Sequence, residues 1–210
     1  MEDQLILVDE QDRETGTCGK LRAHEEGLLH RAFSIFIFRR ALLDNPDGTR
    51  TFHDQLLIQK RAEGKYHSAG LWANSCCSHP RHGEGLDEAT VRRLPEETGY
   101  TVDDLEDGPE GKLEEKGAFI YKADFDNGLT EHEFDHVFVG QLKGDRLDIA
   151  PSPNPEEASQ MLFLDVDEIM IDVLKNPGKY AAWFLPALLI ATDGEEYGSL
   201  NREASSRIIY

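Results

Sequence analysis

Two apolar, strand-like runs, Leu28–Leu43 and Gln55–Lys60, flank the segment Asp44-Asn45-Pro46-Asp47-Gly48. Proline presets one turn dihedral, glycine tolerates positive φ, and Asx side chains bond their own backbone, so this segment reads as a turn and the two runs as a β-hairpin. An apolar hairpin must be covered, and the sequence downstream supplies further strands and helices. Leu86–Thr98 has helical character and is closed by Gly99. Ala118–Phe125 and His132–Leu142 read as strands around an Asp126-Asn127-Gly128 turn. Pro151, Pro153 and Pro155 break the chain before a last strand at Met161–Asp165, and helices are expected at 167–175 and 180–192. Residues 64–85, with Gly, Ser, Asn, Pro and His, look like a functional loop. The expected class is α/β (α+β): an α/β/α sandwich around a mixed sheet.

No repeat or linker divides the chain, so its 210 residues read as a single domain with a core at about 5–192 and an acidic extension after Asp193. The longest apolar run, Trp183–Ala191, is about half of what a membrane-spanning helix needs. The start is acidic and passes into Leu5-Ile6-Leu7-Val8, without the basic opening and small-residue cleavage site of a secretory signal. Three cysteines, two of them adjacent, suit a reducing compartment better than a disulfide framework. A cytoplasmic protein without a membrane partner is therefore expected, and a monomer is the default. The formal charge of −19 argues against nucleic acid, which needs a basic footprint. It leaves room for a small phosphorylated ligand held by a local cluster of cations. Such an acidic surface fits a protein that works in high salt, where screening collapses repulsion, or an ordinary acidic protein.

Three groups of residues can carry chemistry. His24, His30, His79, Glu131 and Glu133 offer three imidazoles and two carboxylates, enough for most of an octahedral shell around Mn²⁺, Zn²⁺ or Mg²⁺. Glu131 and Glu133 are two apart, so on a strand they share a face while His132 points away. Chance pairing in a chain with eight histidines and 41 acids is the competing explanation. The second group is Trp72-Ala73-Asn74-Ser75-Cys76-Cys77-Ser78-His79-Pro80, where a cysteine could serve as nucleophile, acid/base or ligand, or be inert core. In the third, Glu84 to Tyr100, Arg92 and Glu96 are one helical turn apart. They form either a solvated surface pair or part of a site where carboxylates hold Mg²⁺ and arginines meet phosphate.

Glu84, Arg92, Glu96, Glu97 and Gly99 fall in the register of a Nudix box, with Ser78 in place of its first glycine and Arg93 in place of the Glu after the arginine. Together with Asn74-Ser75-Cys76-Cys77-Ser78-His79-Pro80 this resembles the type I isopentenyl-diphosphate isomerases, which share the Nudix fold. The likeness continues through Lys20, Ala23-His24, His30-Arg31-Ala32-Phe33-Ser34, Arg61, Lys65, Tyr121 and Glu131-His132-Glu133, covering roughly 5–190. The resemblance implies that Cys77 and Glu133 are the catalytic pair and that Tyr121 supports proton transfer near Glu133. It implies that His24, His30, His79, Glu131 and Glu133 bind a divalent metal, and that Glu97 binds the Mg²⁺ accompanying a diphosphate. It also implies that Lys20, Arg61, Lys65 and Arg93 hold the diphosphate oxygens, and that a tryptophan stabilises a carbocation. Trp183 is the candidate for that last role and Trp72 the alternative, since Ala182-Trp183-Phe184 departs from the Pro-Trp of the family. Further departures are the short His24–His30 spacing, read as part of a loop, and Pro95 inside the helix that carries Glu97.

The implied reaction moves one double bond in a five-carbon diphosphate, between isopentenyl and dimethylallyl diphosphate, with no redox cofactor. Protonating an unactivated alkene makes a tertiary cation, which calls for a closed apolar pocket and an aromatic face. A Nudix hydrolase of a nucleoside diphosphate derivative is the alternative, but it leaves Cys77 without a role and lacks the carboxylate that Arg93 replaces. A silent phosphate-sensing module of the same fold would need neither Cys77, Tyr121 nor Glu133.

Overall fold

The computed structural model describes residues 4–44 and 47–193. The acidic extension after Asp193, and Asn45-Pro46 of the first turn, lie outside the described residues. Strand β3 (His30–Asp44) is the spine of the sheet. Along one edge it pairs in parallel with β8 (Thr130–Gln141), from His30 opposite Glu133 to Phe38 opposite Gln141. Its other edge is shared out along its length. The start takes β1 (Gln4–Val8) and β6 (Cys76–Ser78), and the far half pairs with β4 (Arg50–Arg61) as the expected hairpin. β4 continues to β5 (Trp72–Ala73) and β9 (Ala158–Asp165), β8 to β7 (Glu114–Asp124), and β1 to β2 (Glu14–Gly19). One parallel pair among antiparallel ones makes the sheet mixed, as the sequence suggested.

Alternation along β3 sorts the core into two layers. Phe33, Ile35 and Ile37 pack with Leu57, Phe138 and the Ala89 and Leu94 positions of α2 (Leu86–Thr98). The intervening Phe36 packs on the opposite face with Leu56, Ile58 and Val137, under α3 (Val166–Lys175) and α4 (Phe184–Ala191). Both faces of the sheet are thereby covered by helices. Among the described residues no helix is long and apolar enough to cross a membrane.

The structure corrects two local expectations and bears out a third reading, a helix that contains Pro95. His24 is not in a loop but on a seven-residue helix, α1 (Lys20–Glu26), which turns back through Gly27 so that His24 and His30 meet. The last helix starts at Phe184 rather than 180, because the Ala181 amide bonds the Trp72 carbonyl at 2.9 Å and ties that stretch to β5 instead. Pro95 does not interrupt α2, which runs on to Thr98. The bond a proline gives up is the one to the Val91 carbonyl, and Val91 is 46% exposed, on the solvent face of the helix.

Gly99 ends α2 at φ +79°, and a Cβ there would lie 2.9 Å from Ser152 Cβ and 3.1 Å from its carbonyl oxygen. The same contact docks the loop before β9, whose Ser152 amide bonds the Thr98 carbonyl at 2.8 Å. Gly99→Ala is expected to lower stability by about 2 kcal/mol, through left-handed strain and this overlap. Urea unfolding measures it, and an unchanged midpoint would show that the helix end is free to rebuild.

Candidate active site

The site occupies the α4 side of the sheet, where β3 and β8 begin. Glu131, Glu133 and Asp135 follow the period of Val137, so all face that side, as do His30 and Ser34 of β3 by the period of Phe36. The spacing argument for Glu131 and Glu133 therefore holds in the structure. Opposite Glu133 on β7 stands Tyr121, whose hydroxyl donates to Glu133 Oε2 at 2.6 Å. His79 Nε2 lies 2.9 Å and His30 Nε2 3.5 Å from Glu133 Oε1.

Two of the histidines have one ring nitrogen fixed by the backbone and the other left over. His24 Nδ1 is bonded to the Lys20 carbonyl at 2.7 Å, and His30 Nδ1 to the Leu28 carbonyl at 2.8 Å. A carbonyl only accepts, so each Nδ1 carries the proton and each Nε2 presents a lone pair. Both Nε2 atoms are buried without a hydrogen-bond partner. Such orphaned acceptors beside a carboxylate fit a divalent cation. His24, His30, His79 and Glu133 bring one ligand atom each to within 4.8 Å of one another. Glu131 falls outside that group and forms a second one with His24 and His67, whose Nδ1 is 3.1 Å from Glu131 Oε1. His67 escaped the sequence reading, because a single histidine after Lys65-Tyr66 has no motif to mark it.

Burial and neighbouring charge divide the two glutamates. Burial alone would raise the Glu133 carboxyl, but the His30 and His79 rings, when protonated on the nitrogen that faces it, outweigh burial and hold it well below the usual range. Glu131 is pushed well up by burial and then by the Glu133 charge. Burial takes His79 down to about 3, leaving its imidazole neutral for coordination.

Cys77 sits on β6 opposite Ser34, across β3 from Glu133. Burial pushes its thiol up to about 12, partly countered by Arg61, whose guanidinium lies 3.5 Å from the sulfur. Trp183 lines the same cavity, whereas Trp72 packs against the α3–α4 core. The Trp183 indole N–H donates to Asn74 Oδ1 at 2.9 Å, and Asn74 Nδ2 donates to the Cys76 carbonyl at 2.6 Å. Asn74 thus fixes the indole and the cysteine strand together. Arg61 lies over the Trp183 ring, 5.2 Å from its centroid, so that face already receives a cation.

Lys20, Arg61, Lys65 and Arg93 all line the cavity. Burial, and then the charge of Lys65, lower the Lys20 ammonium, as expected where cations crowd together. Glu97 is buried, accepting from Arg93 at 2.6 Å and from Gln59 at 3.2 Å. Gln59, like His67, was missed, although an amide at the end of Leu56-Leu57-Ile58 is a visible polar break in an apolar run.

The NUDIX domain matches residues 29–184. The "Isopentenyl-diphosphate Delta-isomerase 2" of Aromatoleum aromaticum is 44% identical over 188 residues, 90% of this chain and 86% of that protein. The "Isopentenyl-diphosphate Delta-isomerase" of Serratia proteamaculans is 42% identical over 185 residues, 88% of this chain and 89% of that one. A crystal structure from Deinococcus radiodurans superposes with a TM-score of 0.61 at 19% identity, covering 90% of this chain and 97% of that one, a likeness of fold.

Mn²⁺ or Zn²⁺ added to chelated protein is expected to stabilise it, by about 2.7 kcal/mol at a hundredfold excess over Kd. His30→Ala should remove most of that gain. A melting temperature indifferent to added metal would count against this ligand set.

Proposed function

The chain belongs to the NUDIX-domain isopentenyl-diphosphate Delta-isomerases, and from that premise we propose how its residues divide the work of interconverting isopentenyl and dimethylallyl diphosphate. One member of the pair Cys77 and Glu133 adds a proton to the terminal alkene carbon. The other removes a proton from the methylene on the far side of the resulting tertiary cation. In the reverse direction the two exchange roles, so no proton is lost from the balance and no redox cofactor is needed. The observation that carries this reading is their placement on β6 and β8, on opposite edges of β3, with both side chains lining one cavity.

The neighbours suit those roles. Tyr121 stabilises the ionised Glu133 through its 2.6 Å bond and offers a path for the proton. Arg61 stabilises the thiolate of Cys77 in whichever direction that form arises. Trp183, held by Asn74, presents its ring to the cation, and burial keeps nucleophilic water away from it. Lys20, Arg61, Lys65 and Arg93 bind the diphosphate, giving the substrate a fixed register against the acid and base.

His24, His30, His79 and Glu133, joined by Glu131 and backed by His67, would hold one divalent ion, Mn²⁺, Zn²⁺ or Mg²⁺. Glu97, shielded beside Arg93, would hold the Mg²⁺ that accompanies the diphosphate. When bound, these ions supply positive charge that orients Glu133 and offsets the charge of the diphosphate. The free Cys18, Cys76 and Cys77 suit action in the reducing cytoplasm.

Proton NMR of isopentenyl diphosphate with the protein and Mg²⁺ in D₂O should show dimethylallyl diphosphate carrying deuterium in a methyl group. Cys77→Ala and Glu133→Gln should each slow this by about a thousandfold or more. Near-normal turnover in either variant would sink the two-sided mechanism, and released phosphate without isomerised product would point to hydrolysis.

A further inference from the structure

The cavity is lined by a third carboxylate, Glu157, that the scheme above does not use. It stands two residues after Pro155, in the loop entering β9. Its carboxylate accepts from Lys65 Nζ and, at 3.0 Å, from the Arg93 guanidinium. Its backbone carbonyl accepts from the Ala62 amide, also at 3.0 Å. One residue therefore joins three separate segments: the turn after β4 that carries Lys65, helix α2 that carries Arg93, and its own loop. That loop is anchored in turn, since the Ser152 and Asn154 amides bond the carbonyls of Thr98 and Glu97 at 2.8 and 3.3 Å. Burial would raise the Glu157 carboxyl, but Lys65 and Arg93 outweigh it and keep it ionised.

Lys65 follows Gly64 in a turn, on a flexible stem with many rotamers. A lysine left to sweep that range would have to be ordered by each arriving substrate. An ammonium has three donors and a guanidinium five. Arg93 also donates to Glu96 at 2.7 Å and to Glu97 at 2.6 Å, so with Glu157 three of its donors are taken and two, the unpartnered Nε–H among them, are left for other oxygens. We propose that Glu157 is a positioning residue for the diphosphate, holding Lys65 and Arg93 at a fixed spacing with their remaining donors turned to the cavity. This rests on the assignment of Lys65 and Arg93 to the diphosphate.

The sign of one measurement separates positioning from plain charge. If charge alone mattered, removing a carboxylate from an anion site would tighten anion binding. Positioning requires the opposite. Calorimetric titration of the full chain with inorganic pyrophosphate and Mg²⁺ is expected to show binding weakened about tenfold in Glu157→Gln. Glu157→Asp keeps the charge but shortens the reach, so it should lie between that variant and wild type, and it carries the test if the Gln variant fails to fold. In turnover, KM for isopentenyl diphosphate should rise by a similar factor, with kcat changed less than about twofold. Unchanged or tighter pyrophosphate binding in folded Glu157→Gln overturns the proposal. Wild-type protein that binds no pyrophosphate overturns the diphosphate assignment itself, and the proposal with it.

Discussion

The parallel register of β3 and β8, with His30 opposite Glu133, fixes almost everything else in this molecule. A slip of one residue would turn Glu131, Glu133 and Asp135 into the α2 core and bring Phe134 and Phe138 round to the site. Two contacts resist it. Phe138 is buried in one core layer and Val137 in the other, so a slip would exchange the partners of both. Ser34 donates to Asp135 at 2.8 Å across the same strand pair, deep in the sheet, where a misplaced carboxylate would lie unpaired. The register of β7 then follows from β8, and it is what puts the Tyr121 hydroxyl on Glu133.

That arrangement concentrates acid where a globular fold ordinarily avoids it. Glu131, Glu133 and Asp135 stand in one buried column, and burial pushes Glu131 and Asp135 well above the ordinary carboxylate range. Only Glu133 is driven the other way, by the two imidazoles beside it. A buried carboxylate without a partner is costly, and this column is answered by His79 at Glu133, Ser34 at Asp135 and the charge of Arg61 near Glu131. The same desolvation that makes it expensive to build strengthens each interaction inside it. Stability and chemistry therefore draw on one set of contacts: His24 and His30 are buried core residues and also the ones with lone pairs to spare.

The parts legible in the sequence were those with a period or a punctuation mark. Asp, Pro and Gly marked the hairpin, Gly99 marked the end of α2, and the two-residue spacing of Glu131 and Glu133 placed both on one face of a strand. Helix α1 was missed because its seven residues show no capping side chain and little periodicity. It is defined by what it packs against, with Ala23 and His24 buried beneath it. The start of α4 was misjudged because local propensity at Tyr180 and Ala181 yields to a backbone bond with β5. Residues such as Gln59, His67 and Glu157 act through partners distant in the chain. Only the folded sheet brings Gln59 to Glu97, or Glu157 to both Lys65 and Arg93.

The overall charge sharpens what the cavity must do. With 41 acids against 22 lysines and arginines, the surface as a whole repels a diphosphate. At physiological salt that repulsion is screened within about 8 Å, and in molar salt within about 3 Å. The contact of Arg93 with Glu97 beside the cavity, at 2.6 Å, is shorter than either length, and Glu97 is buried. Salt thus removes the long-range penalty and leaves the short-range binding in place. An acidic exterior and a cationic cavity are compatible because they act at different distances, and only the cavity has to recognise the substrate.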